Sequence, residues 1–137
     1  MAIREKQIPY AVTLEQDGSI AAEGNEPIAL EAEWTPEHLL LAALARCTIG
    51  ALRIHAARDA IEITGTAHAS GTIGKREDES WGFLEVECRA DVELLPLPDE
   101  ETTLELLAKA ERGCFIGGSL RVEPVYVWTV NGREVER

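Results

Sequence analysis

The strongest nucleophiles in this sequence are three cysteines, Cys47, Cys88 and Cys114, and the thiolate is the form in which a cysteine attacks an electrophile or an oxidant. Cys47 stands in Leu44-Ala45-Arg46-Cys47-Thr48-Ile49-Gly50, with Ala43, Leu44, Gly50 and Ala51 one helical turn to either side. The small residues leave room for another backbone or a small ligand to reach the sulfur. Two readings stand for Cys47 at this point: a reactive thiol with access, or a cysteine that fills space in a core, as free cysteines commonly do. Cys114 follows Arg112-Gly113 and precedes Phe115-Ile116-Gly117-Gly118-Ser119. If Gly113 ends one helix and Cys114 begins a short next one, backbone N–H groups and Arg112 favour a thiolate there. Packing beside Phe115 and Ile116 is the alternative. Cys88 falls on the apolar face of an alternating segment and is expected to be core.

Other chemistries find little support. His38, His55 and His68 share no ligand spacing with each other or with a cysteine, so no metal is expected. No glycine-rich loop leads from a strand into a helix and no Gly-x-Ser-x-Gly elbow occurs, so no nucleotide cofactor or serine nucleophile is expected. Glu85, Glu87, Asp91 and Glu93 read as one solvated sheet face, and Trp34, Tyr126 and Trp128 as packing residues. The formal net charge of −12 and the pI near 4.6 repel phosphates and anionic lipid, which argues against nucleic acid and membrane as partners. The charged opening Met1-Ala2-Ile3-Arg4-Glu5-Lys6-Gln7 is unlike a secretory signal, and the apolar run Leu39–Ala45, broken by Arg46, is short for a membrane span. Three widely spaced cysteines do not make a disulfide framework. The expectation is one cytoplasmic domain over residues 1–137.

The elements that must position these thiols follow from period and caps. Residues 7–15 are rich in β-formers, Gln16-Asp17-Gly18 is a turn signal, and Ser19–Ala22 returns. Ile28–Trp34 alternates apolar and acidic residues, the mark of a half-buried third strand. Thr35-Pro36-Glu37 is a helix start, and the helix should run to about Arg58, apolar nearly all round its middle and therefore buried. Ile61–Ile73 and Leu84–Leu94 alternate as strands, with Lys75–Ser80 a loop between them. A second helix is expected over Asp99–Glu111, a short helical turn over Phe115–Leu120 and a last strand over Arg121–Val130, followed by a turn at Asn131-Gly132 and a charged tail. The order is βββ-α-ββ-α-β: an α+β protein with a long central helix packed on antiparallel sheet.

Two segments together resemble the OsmC/Ohr family, the osmotically inducible and organic-hydroperoxide-resistance proteins. Thr35-Pro36-Glu37-His38-Leu39-Leu40-Leu41-Ala42-Ala43-Leu44-Ala45-Arg46-Cys47 is similar to the family's Pro-Glu opening of a central helix, ten residues before its reactive cysteine. Ala110–Leu120 is similar to the segment that carries the resolving cysteine. The resemblance implies the OsmC-like fold and a thiol-dependent peroxidase. Cys47 would be the peroxidatic cysteine and Cys114 the resolving one, acting on an organic or hydrogen peroxide, with a dithiol reductant of lipoyl or thioredoxin type reopening their disulfide. Glu37 matches the glutamate that orients an arginine against the sulfur. Gln16 stands where that arginine is expected and carries no charge, which leaves open a redox-active thiol protein of another kind, or a non-enzymatic protein that binds a small apolar ligand.

Helix geometry adds a consequence. Glu37 and Cys47 are ten residues apart, about 15 Å along one helix, too far for a glutamate side chain. For Glu37 to serve a cysteine it must serve that of a second subunit. The expectation is an intertwined homodimer with two equivalent sites, which would also account for a helix apolar on both sides.

Overall fold

The computed structural model describes residues 6–31 and 33–136, so the charged opening at residues 1–5 and the last residue of the tail lie outside the described residues. The chain divides into two compact units, residues 1–35 and 36–137.

The first unit is a small hairpin of β1 (Val12–Leu14) and β2 (Ile20–Ala22), paired antiparallel. Its turn is held by Asp17, whose carboxylate accepts from the Ser19 N–H at 2.9 Å and from the Ser19 hydroxyl at 2.7 Å. Gly18 supplies the positive φ of 88° that the reversal needs. Among the described residues the third strand expected over Ile28–Trp34 is not formed, and a single antiparallel bridge, Ile20 to Ile28, is made. The reason is register. Continuing that antiparallel pairing two residues past Ile28 would set Leu30 opposite Gly18, already in the turn, so the segment runs off the end of β2. Ala32, within that stretch, lies outside the described residues.

The second unit opens with α1 (Pro36–Ala57), with Pro36 at its first position and Glu37 in its first turn, as the sequence dictates. It is long and apolar enough to cross a membrane by length and composition. Instead Leu44, Thr48, Ile49, Ala51, Leu52 and Ala56 form a stripe buried against the sheet, and Arg46 and Arg53 point outward. The stripe is one-sided: Ile54 remains 62% exposed. Next come β3 (Glu62–Lys75) and β4 (Trp81–Leu95), a long antiparallel hairpin, then α2 (Glu100–Arg112), α3 (Phe115–Gly118), β5 (Val125–Val130) and β6 (Arg133–Glu134). The sheet order is β3-β4-β5-β6.

One pairing differs from the all-antiparallel expectation: β5 runs parallel to β4, with Cys88 opposite Tyr126 and Ala90 opposite Trp128. Parallel neighbours need a crossover of a dozen residues or more, and α2 with α3 is that crossover. The last strand begins at Val125 rather than Arg121, after Pro124, which has no N–H to give to a ladder. On β4, Val86, Cys88, Ala90, Val92 and Leu94 face inward as their alternation requires. Leu84 does not, and is 47% exposed. Thr72 pairs with Glu85 and Ile73 with Phe83, so Leu84 is the extra residue of a β-bulge and is turned out of the alternation.

Asp99 caps α2, its carboxylate accepting from the Thr102 N–H at 2.8 Å. The main core gathers Leu52, Ala56, Ile63, Val92, Leu107 and Trp128. The Trp128 indole N–H donates to Glu111 at 2.8 Å, so its one polar atom is satisfied.

Candidate functional site

A second, smaller core cluster holds the thiols. Leu44, Val86, Cys88 and Cys114 are buried in it, with Leu41, Cys47, Phe83, Ile116 and Tyr126 packed around. Cys47 comes from the middle of α1 and Cys114 from the junction of α2 and α3, 67 residues later. The crossover between β4 and β5 returns α3 over α1 and so brings the two together.

At the junction Gly113 closes α2 with φ −86° and ψ 0°. It is a cap, as expected, but in ordinary right-handed geometry. What favours glycine is space: a Cβ would lie 3.1 Å from the Lys109 carbonyl and 3.2 Å from His55 Nε2. Cys114 then occupies the N-cap of α3, its sulfur accepting from the Gly117 N–H at 3.4 Å. The Cys47 sulfur sits under the same turn, where the backbone N–H groups of Ile116 and Phe115 favour its thiolate. Burial outweighs them and, with the Cys114 thiol adjacent, holds the Cys47 thiol above its ordinary range. Among the described residues, none of the groups acting on Cys47 is a cation.

Access separates the two sulfurs. Cys114 is 1% exposed, whereas Cys47 is half-buried. Cys88 is buried as expected, but it is not merely filler in a remote core. Its thiol donates to the Thr48 hydroxyl at 3.6 Å, and that hydroxyl lies 4.0 Å from Cys114 Sγ. Thr48 gives its one proton to the Leu44 carbonyl at 2.8 Å, so it offers both buried sulfurs only lone pairs. Burial pushes the Cys88 thiol up.

Thr48, Gly117 and Tyr126 escaped the sequence reading as parts of the site. Tyr126 is not simple packing: its hydroxyl abuts Gly117 and lies against Cys114, and burial followed by the Cys114 sulfur raises its pKa, keeping the phenol protonated. Gly117 is what lets that happen, since a Cβ there would collide with the Tyr126 hydroxyl and stand 3.5 Å from Cys114 Sγ. Gly117→Ala should therefore lower the unfolding free energy by about 1–3 kcal/mol, the usual cost of an overpacked methyl, read as a lower urea midpoint at unchanged slope. An unshifted midpoint would mean that the Tyr126 ring gives way freely.

Within the second unit, the structure does not bring Glu37 or Arg121 to the thiols. Glu37 is exposed in the first turn of α1, on the same helix as Cys47 and ten residues before it. Gln16 is exposed in the hairpin turn of the first unit. Arg121 is engaged with Asp78 at 3.3 Å on the surface.

The sequence profile of the family described as OsmC-like protein matches residues 29–129. Among solved structures, an OsmC-like protein of unknown function from Vibrio cholerae is similar, with 18% identity, a TM-score of 0.74, and coverage of 89% of this chain and 99% of that one. The organic hydroperoxide resistance protein OhrB of Bacillus subtilis gives 21% identity and a TM-score of 0.54, over 90% of this chain and 96% of that one. An organic hydroperoxide resistance protein from Elizabethkingia anophelis gives 23% identity and 0.62, over 93% and 96%. These likenesses establish the fold. No curated protein matches the chain in sequence.

Proposed function

Because the chain belongs to the OsmC-like protein family, we propose that it is a thiol-dependent peroxidase in which Cys47 attacks the O–O bond and Cys114 resolves the product. The observation that carries this reading is the meeting of Cys47 and Cys114, from α1 and the α2–α3 junction, in one apolar cluster. The Cys47 thiolate displaces an alkoxide from the peroxide and becomes a sulfenic acid; the Cys114 thiol condenses with it, releasing water and leaving a disulfide. The apolar lining of Leu41, Phe83 and Ile116 suits an organic peroxide, in keeping with the names of the hydroperoxide-resistance relatives. A dithiol of lipoyl or thioredoxin type returns the pair to thiols, and the reducing cytoplasm is where such a cycle runs.

Glu37 enters from a partner subunit in this reading, orienting whatever cation serves the sulfur, with Gln16 at the place of the family's arginine. The raised Cys47 thiol and the lack of a described cation acting on it favour a second reading: a redox-active pair of low peroxidase efficiency at neutral pH.

The test is consumption of an organic hydroperoxide, and separately of hydrogen peroxide, with a dithiol present. Mild peroxide alone should lower free thiols from three to one, with Cys47 and Cys114 joined in the peptide map. Three thiols surviving oxidation would end both readings.

The pH dependence has a definite sign. An ordinary thiol is only about 3% thiolate at pH 7, and Cys47 lies above that range. Its reaction with peroxide should therefore rise about tenfold per pH unit from pH 6 to 8. Gln16→Arg should lower the Cys47 pKa, speed the reaction at pH 7 by about tenfold and flatten the profile. A wild-type rate already independent of pH over that range would show that another cation is in place.

A further inference from the structure

The two sulfurs of the proposed redox pair are so differently placed that they fix which one a reductant attacks. Cys114 is closed off by its own chain, at 1% exposure, and no added subunit can open it. Cys47 alone presents surface to solvent. Around Cys114 stand the Gly117 N–H at 3.4 Å as donor and the Tyr126 ring packed against the same cluster with its hydroxyl beside Gly117, against one acceptor, the Thr48 oxygen at 4.0 Å, whose proton is committed to Leu44. The Cys88 thiol lies beyond Thr48, itself donating to the Thr48 oxygen. An electron pair arriving on Cys114 meets the Gly117 N–H directly, and a small turn of the Tyr126 hydroxyl beside Gly117 would add a second donor.

We infer that the reductant attacks the Cys47 sulfur and that Tyr126, with the Gly117 amide, receives the departing Cys114 thiolate. Tyr126 is thus a residue of the reductive half-reaction. This rests on the Cys47–Cys114 disulfide of the reading above. The step balances. A thiolate of the dithiol forms a bond to Cys47 Sγ, the Cys47–Cys114 bond breaks, and its electron pair leaves on Cys114. The second thiol of the reductant then attacks the reductant sulfur of the mixed disulfide, releasing Cys47 as thiolate. The two protons of the dithiol end on the two cysteines, and the reductant departs as its cyclic disulfide. Throughout, the Tyr126 proton stays on the phenol, which its raised pKa favours.

The experiment begins from the disulfide made with diamide, so that it does not depend on peroxide turnover. Oxidised protein is mixed with 2-mercaptoethanol, quenched in acid at early times and mapped by peptide mass. The expected adduct is on Cys47, with Cys114 a free thiol; an adduct on Cys114 overturns the inference, as does failure of diamide to join the two. Tyr126→Phe should slow this reduction about tenfold, the effect of losing one hydrogen bond to a charged group. A packing defect would slow both half-reactions alike, so the readout is their ratio. Reduction should slow about tenfold more than oxidation of Cys47 by peroxide, and equal slowing, or none, removes Tyr126 from the step. Protein that forms the disulfide with diamide and gives the Cys47 adduct, yet consumes no peroxide, would sink the peroxidase reading while leaving this one standing.

Discussion

Cys47→Ser should abolish peroxide consumption, with a fall of about three orders of magnitude or more, because loss of the nucleophile removes the step on which every later one depends. Cys114→Ser should behave differently: one equivalent of peroxide is consumed, a sulfenic acid accumulates on Cys47, and further peroxide carries it to sulfinic acid. Cys88→Ser should still turn over, since its sulfur is 1% exposed and its hydrogen bond goes to the Thr48 oxygen rather than to Cys47 or Cys114. Serial peroxide additions followed by intact-mass measurement separate the three variants. Turnover kept by Cys47→Ser and lost by Cys88→Ser would reverse the assignment.

A sedimentation mass of twice 15.0 kDa at micromolar concentration is the second large expectation. Its physical basis is unsatisfied apolar surface. Ile54 on α1 is 62% exposed, and in the hairpin unit Tyr10, Val12 and Leu14 are 83%, 64% and 74% exposed. Isolated apolar residues on a surface need no explanation, but a hairpin of two three-residue strands cannot stand alone in water without something to cover it. In the proposed dimer a second copy would supply that cover and would carry Glu37 to the other subunit's thiol. Ile54→Glu, if the outer side of α1 is the contact, buries an unpaired charge in each copy, at about 3 kcal/mol or more, and should shift the protein to monomer. Peroxide turnover should fall with it. A folded 15.0 kDa monomer in the wild type would remove Glu37 from the site.

What could be read from the residues was whatever a local signal controls. The Thr-Pro-Glu start and apolar body made α1 legible almost to the residue, and strict alternation found β3 and β4, though β4 begins at Trp81, three residues before the expected Leu84, across a bulge. The short third strand was misread because alternation reports faces, not partners, and past Ile28 the partner is a turn. The parallel setting of β5 was illegible for a related reason: period two is the same whichever way the neighbour runs. Cys47 and Cys114 stood out through the family resemblance, and the fold brings them together. Tyr126 and Thr48 did not stand out, because their importance arises only once register sets Tyr126 beside Cys88 and helix phase turns Thr48 toward two sulfurs. A spacing rule for Gly117 would have found nothing, since its neighbour is nine residues further on in another element.

The distance along the chain between the two sulfurs has an energetic meaning of its own. A link between residues 67 apart closes a large loop, and in the chain-entropy account such a closure removes about 4 kcal/mol of freedom from the unfolded chain. By the closed thermodynamic cycle, whatever the link adds to the fold, the fold returns to the link. A folded protein carrying the proposed Cys47–Cys114 disulfide would therefore hold it about 90 mV more tightly than the unfolded chain would, at about 30 mV for each 1.4 kcal/mol. A monothiol pool at modest poise would leave such a bond largely closed. A reductant whose two thiols close a ring as they are oxidised has the driving force to open it, so in the proposed cycle the wide sequence separation of α1 and α3 would favour dithiols before any docking surface is considered.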